Sequence, residues 1–182
     1  MNSPHPSFLP YGRHQIDEDD IAAVCAVLRS GHLTTGPAVA AFEEALVATV
    51  GARHAVVCSS GTAALHLACM AAGLGPGDVA VVPAITFVAT ANAARYVGAE
   101  VLFADVDPET GLMGPEHVEA ALSAHNNAGA KARAVFPVHL NGQCADLEGI
   151  DDCAQKHGLV VIEDTCHALG AHYADSIPVG SN

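Results

Sequence analysis

The chain has 182 residues, with seven Lys and Arg against twenty Asp and Glu, a formal charge of −13 when its eleven histidines are neutral. Half of it is apolar (51%) and 15% is charged, which supplies one sizeable core and excludes a disordered, low-complexity or collagen-like chain. Basic residues are scattered singly, so no surface is set up to track nucleic-acid phosphates or an anionic membrane, and any anionic ligand has to be held locally.

Residues 1–14 carry three prolines and no apolar run of the kind a secretory signal needs, which places the expected protein in the cytoplasm. Asp17 is set to cap a helix whose apolar positions Ile21, Val24, Cys25 and Leu28 repeat at helical spacing up to Gly31, with an acidic first turn that suits the helix dipole. Pro37 is placed to open a second helix that buries Phe42 and Leu46. From there the pattern changes to short β-branched runs alternating with helical periods. Strands are expected at 55–58, 79–82, 101–103, 134–138 and 159–162. Helices are expected up to about residue 72, up to about 97, and over 115–123 and 146–157.

Five strands separated by helices predict an α/β fold with a parallel, helix-covered sheet and right-handed crossovers, whose function gathers at the strands' carboxyl ends. The expected organisation is a helical segment over 1–50, an α/β core over 51–182, no second domain, and a flexible surface loop at 125–132. The apolar stretch 79–94 is interrupted by Pro83, Thr86, Thr90 and Asn92, too soon for a membrane span. Six cysteines at wide, irregular spacings read as reduced, mostly core residues, and neither they nor the group Cys166, His167 and His172 follow a zinc spacing, so no metal is expected. The glycines at 73, 75 and 77 follow a helix and precede a strand, the reverse of a dinucleotide fingerprint, and read as a helix stop and turn.

Three strand ends carry possible chemistry. Ser59-Ser60-Gly61-Thr62 follows a strand and opens a helix, where free amides and hydroxyls suit a phosphate; the same residues also make an ordinary capped helix. Glu163-Asp164-Thr165-Cys166-His167 places Asp164 at the end of a core strand, where an unpaired charge is expensive, although an Asp there also serves as a helix cap. Pro83-Ala84-Ile85-Thr86-Phe87 ends a strand on an aromatic ring that is either core or a stacking platform. Together they offer a phosphate nest, an aromatic face and a carboxylate, the needs of a phosphorylated aromatic cofactor with a ring nitrogen.

In order and spacing, Ser60-Gly61-Thr62-Ala63-Ala64-Leu65, the segment 83–90, Pro137-Val138-His139-Leu140-Asn141-Gly142 and the run 161–171 resemble the DegT/DnrJ/StrS family of pyridoxal-phosphate-dependent sugar aminotransferases, from about Leu9 to Ser181. Tyr11-Gly12-Arg13-His14-Gln15-Ile16-Asp17 and Leu33-Thr34-Thr35-Gly36-Pro37 are most similar to the branch that forms UDP-4-amino-4,6-dideoxy-N-acetyl-β-L-altrosamine on the way to pseudaminic acid. The resemblance implies the large domain of a type I pyridoxal-phosphate transferase, with residues 1–182 forming its amino-terminal part and the carboxyl-terminal small domain lacking. It implies that Ser60, Gly61 and Thr62 hold the phosphate of pyridoxal 5′-phosphate, Phe87 stacks on its ring, Asp164 pairs with the ring nitrogen and His167 lies near the phenolic oxygen. It further implies a sugar nucleotide as acceptor, glutamate as amino donor and a homodimer at full length.

His139 and Asn141 match a loop near the family's site without an assigned role. The family's Schiff-base lysine follows the segment matched by Val179-Gly180-Ser181, so it is expected beyond Asn182. Lys131, expected in a surface loop, and Lys156, in a helix, read as solvated charges rather than catalytic groups. No turnover is expected from this chain alone. The competing reading is an inactive truncated paralogue that binds a full-length subunit through an exposed sheet edge.

Overall fold

A computed structural model describes residues 14–125, 130–174 and 176–181. The Tyr11-Gly12-Arg13 start of the branch motif, residues 126–129 of the expected loop, and Asn182 lie outside the described residues. The chain divides into two compact units, Met1–Ala41 and Phe42–Asn182.

In the first unit, Asp17 is the N-cap of α1 (Glu18–Arg29). Its carboxylate accepts from the amides of Asp19 and Asp20 at 3.0 and 3.1 Å, and the Asp20 carboxylate accepts from the Asp17 amide at 3.0 Å. This reciprocal box satisfies donors that a helix start leaves open. The expected apolar stripe forms, yet Ile21, Val24 and Leu28 remain exposed. Pro37 is the first residue of α2 (Pro37–Val50), as its fixed φ and missing N–H favour. Phe42, expected on a buried face, is exposed, and α2 buries no residue fully.

The second unit is an α/β sandwich. Helix α3 (Gly61–Ala71) precedes β1 (Asp78–Pro83), α4 (Val88–Tyr96), β2 (Glu100–Ala104), α5 (Pro115–Ala124), β3 (Lys131–Val135), α6 (Leu147–His157) and β4 (Val160–Val161). The strands form one parallel sheet in the order β2-β1-β3-β4. Successive side chains of β1 point to opposite faces, as the two-residue period requires. Ala80 and Val82 pack with Leu65, Ala93, Ala94 and Phe136, while Val81 packs with Val118, Val135 and Ile150. Both faces are buried, which is why β1 reads as an unbroken apolar run rather than an alternating one.

The sheet has four strands among the described residues, one fewer than expected. Residues 55–58 form no ladder: Val56 is exposed, and the Val57 amide donates to the Glu43 carboxylate at 2.9 Å. Their β-branched character is real, but a strand exists only through a hydrogen-bonded neighbour. Lys131 belongs to β3, paired with Asp78, and not to a loop. The polar residues just before it hide the start of the strand from a reading of composition. The helix boundaries follow their caps: Asp146 accepts from the Gly149 amide at 3.1 Å to start α6, and Gly158, in the left-handed region at φ 66°, ends it. No described helix is long and apolar enough to cross a membrane.

Candidate functional site

Asp164 lies just past β4, where the chain continues alongside the extension of β3. Its amide donates to the Pro137 carbonyl at 2.9 Å and its carbonyl accepts from the His139 amide at 3.1 Å. A parallel bridge between Val138 and Asp164 fixes this position. The backbone is therefore set by sheet-like pairing, and Asp164 as a residue is 6% exposed at the carboxyl end of the sheet.

Both oxygens of that carboxylate accept hydrogen bonds. Oδ2 accepts from the Thr90 hydroxyl at 2.7 Å, and Oδ1 accepts from the Cys166 amide at 3.2 Å. Thr90 is fully buried on α4, and its oxygen lies 2.8 Å from the Thr86 hydroxyl one turn earlier. Among the described residues no partner of Asp164 carries a positive charge, so the burial cost of an anion is met by neutral dipoles.

Asp164 lines a shallow cleft of about 180 Å³ together with Gly61, Ala64, Thr165 and Cys166. Ser60 caps α3 beside it, its hydroxyl accepting from the Ala63 amide at 3.2 Å. Gly61 and Thr62 are the first two residues of that helix, and their amides have no carbonyl a turn earlier to bond. Gly61 also lacks the room for a side chain: a Cβ there would lie 2.8 Å from Cys166 Sγ. The Cys166 thiol is pushed up to about 11, first by burial and then by its bond to Asp164 and that group's charge, which makes it a poor nucleophile at neutral pH.

The expected site residues are brought together in part. Gly61 and Asp164 line the cleft, and Ser60 caps the helix that Gly61 opens. Phe87 is the N-cap residue of α4, exposed rather than core, and one turn before Thr90, whose amide donates to its carbonyl at 3.1 Å. Thr62 and His167 are not among the residues lining that cleft. His167 is anchored instead to the turn 140–142, its Nδ1 accepting from the Asn141 amide at 3.3 Å, with Asn141 in the left-handed region at φ 56°.

The sequence reading missed Thr90 as a partner of Asp164, because a Thr within an Ala-rich helix looks like an interruption of an apolar run. It also left His139 without a role and did not weigh Tyr173. His139 is fully buried, and its Nδ1 accepts from the Ala145 amide at 3.0 Å. That acceptor assigns the ring as the neutral tautomer carrying its proton on Nε2. Nε2 faces both Glu163 Oε2 and the Tyr173 hydroxyl at 3.0 Å, and Tyr173 donates to the same carboxylate oxygen.

Other groups lead away from an anionic ligand. A larger hollow of about 630 Å³ beside α6 is lined by Asp146, Glu148, Asp151 and Asp152. The Asp151 carboxyl is pushed up by burial and by the charges of Glu163 and Asp152. Lys131 starts β3, at the end of the strand opposite the cleft, and Lys156 on α6 pairs with Glu119 at 2.6 Å. The cysteines are all free; Cys69 and Cys153 are core residues as expected, whereas Cys166 is exposed.

The sequence profile of the DegT/DnrJ/EryC1/StrS aminotransferase family matches residues 14–181. Among solved structures, a DegT DnrJ EryC1 StrS aminotransferase from Brucella abortus is 38% identical, with TM-score 0.84 over 88% of this chain and 43% of that one. DesV of S. venezuelae, solved with a ketimine intermediate, is 34% identical, with TM-score 0.81 over 89% of this chain and 42% of that one. Spr1654 of Streptococcus pneumoniae, described as a putative sugar aminotransferase and solved in its PLP form, is 29% identical, with TM-score 0.85 over 95% of this chain and 46% of that one. The chain thus spans less than half the length of these solved relatives. It belongs to the DegT/DnrJ/EryC1/StrS aminotransferase family.

Proposed function

We propose that this chain carries the cofactor-facing part of a pyridoxal-phosphate-dependent aminotransferase that delivers an amino group to a keto sugar. The observation that carries the reading is Asp164: a buried carboxylate at the sheet's carboxyl end, held by neutral donors and opening on a cleft shared with Gly61. Such a group is completed by a cation, and a protonated pyridine nitrogen supplies one.

The donor set fits the cofactor at its other end as well. The open amides of Gly61 and Thr62 and the Thr62 hydroxyl suit a phosphate at a helix start. The exposed Phe87 ring is available to stack, and His167, anchored through Nδ1, is assigned to the phenolic oxygen by the family resemblance. When bound, the cofactor supplies an electron sink for the carbanion chemistry of amino transfer. Asp164 would hold the proton on the ring nitrogen, and Ser60 keeps the helix start in register for the phosphate. Neither Lys131 nor Lys156 is assigned a catalytic role, since one begins a strand and the other is committed to Glu119.

The finer reading is a UDP-linked 4-keto-6-deoxy sugar as acceptor and glutamate as donor, in a cytoplasmic homodimer of the whole protein. It is supported by His14-Gln15-Ile16-Asp17 and Leu33-Thr34-Thr35-Gly36-Pro37, the segments most similar to the pseudaminic acid branch.

The test is an absorbance titration of the chain with pyridoxal phosphate, wild type beside Asp164→Ala, followed by borohydride reduction and peptide mapping. The expected result is saturable binding that is lost in D164A, with no adduct specific to Lys131 or Lys156. Binding indifferent to D164A would overturn the cofactor assignment, and a specific adduct at either lysine would overturn their exclusion.

A further inference from the structure

The contact between α4 and Asp164 joins residues 74 positions apart. Thr90 is fully buried and Asp164 nearly so, so their hydrogen bond is shielded from bulk water. A threonine hydroxyl has one proton to donate. A carboxylate accepts only, so that proton is committed to Asp164 Oδ2 at 2.7 Å. The 2.8 Å contact between the Thr86 and Thr90 hydroxyls then has one consistent direction, with Thr86 donating and Thr90 accepting. The result is a directed chain, Thr86 to Thr90 to Asp164, whose first member stands on the loop after β1 and whose last stands on the loop after β4.

We propose that Thr90 is a positioning residue for the cofactor site: its hydroxyl locks the rotation of the Asp164 carboxylate, and Thr86 locks the hydroxyl. This inference rests on the reading of Asp164 as the partner of a protonated ring nitrogen. The Cys166 amide on Oδ1 and the Thr90 hydroxyl on Oδ2 together leave the carboxylate plane one orientation. The lone-pair directions that remain are therefore preset for a ligand before it arrives. Phe87 lies one turn before Thr90 on the same helix start, so the turn that aims the carboxylate also carries the stacking ring. A shift of α4 moves both together.

The experiment uses the full chain with Thr90→Val, Thr90→Ser and Thr86→Val. Two readouts separate the claims. The first needs no cofactor: the side-chain carboxyl 13C resonance of Asp164, assigned by D164N. T90V is expected to shift it, T90S to restore it, and T86V to shift it less. The second is the affinity for pyridoxamine phosphate, followed by its fluorescence. T90V is expected to weaken binding about tenfold, the effect of disturbing one charge-assisted hydrogen bond, while T90S stays near wild type. Thermal melting of each variant checks the fold, and T86V, which removes the hydroxyl that holds Thr90, carries the test if T90V does not fold. An Asp164 resonance unmoved in T90V would overturn the positioning role, as would T90V binding at wild-type strength. Failure of the wild type to bind pyridoxamine phosphate would overturn the cofactor reading and the positioning role built on it. The 13C readout would then still report whether Thr90 holds Asp164.

Discussion

Two adjacent carboxylates, Glu163 and Asp164, leave the same strand and meet opposite fates. Glu163 has its Oε2 occupied by the Tyr173 hydroxyl and by His139 Nε2, both on buried or half-buried groups of the chain itself. It ties the segment after the sheet back onto the sheet, and although it also lines the cleft, its Oε2 is taken by the chain's own groups. Asp164 receives a hydroxyl, an amide and the Cys166 thiol, all neutral donors, and it lines a cleft. Both carboxylates line the cleft, so what separates a structural anion from one prepared for a ligand is the set of partners each one holds.

The largest way to break this contrast is on the structural side. His139→Ala removes the acceptor for the Ala145 amide and the donor to Glu163, and leaves a hole in a fully buried site. A loss of about 3 kcal/mol in urea unfolding is expected, from unsatisfied buried groups plus the cavity. A loss below ~1 kcal/mol would mean that water replaces the ring and that Glu163 is not a structural anion.

A smaller and more selective effect comes from Tyr173→Phe, which removes the hydroxyl between His139 and Glu163. The Tyr173 phenol is pushed upward, first by burial and then by its bond to Glu163 and that group's charge. A folded-state value above the unfolded value stabilises the protein fully below the unfolded value, about 10. That contribution is lost as pH rises beyond it. Wild type is therefore expected to lose stability more steeply than Y173F above about pH 10, measured as the difference between their unfolding curves. The comparison cancels the raised thiols of Cys69, Cys144, Cys153 and Cys166, which act in the same direction. Parallel curves for the two proteins would detach Tyr173 from Glu163.

The smallest expected effect sharpens the ligand side. Gly61→Ala puts a methyl 2.8 Å from Cys166 Sγ, the end of a short side chain that can swing away. Stability is expected to change by less than about 1 kcal/mol, because Ala suits a helix at least as well as Gly. Affinity for pyridoxal phosphate is expected to fall, since the displaced thiol moves within the cleft. Adding Cys166→Ala is expected to restore it, in a four-way comparison of binding curves.

Much of this was legible in the sequence, and the exceptions share a cause. The capping box at Asp17, Pro37 at a helix start and the β1 run are local signals, and each appears where the residues put it. The expected strand at 55–58 does not form a ladder, because β-branched residues state a preference and pairing needs a neighbour. Phe42 and the α1 stripe carry a buried-face pattern but stay exposed, since periodicity names a face without naming what covers it. At the site, Gly61 at a helix start and Asp164 at a strand end are visible in the sequence as such. Thr90, His139 and Tyr173 act through contacts across 74, 24 and 10 residues to the 163–164 pair, separations for which no local pattern exists.

The most direct test of the contrast is a calorimetric titration of pyridoxamine phosphate into wild type, Asp164→Asn and Glu163→Gln under identical conditions. The account predicts that D164N loses at least about tenfold in affinity, the worth of a charge-assisted bond to a ring nitrogen. It predicts that E163Q, although less stable, stays within about twofold of wild type. Equal losses in both variants, or none in D164N, would contradict the assignment of Asp164 as the carboxylate kept for a ligand.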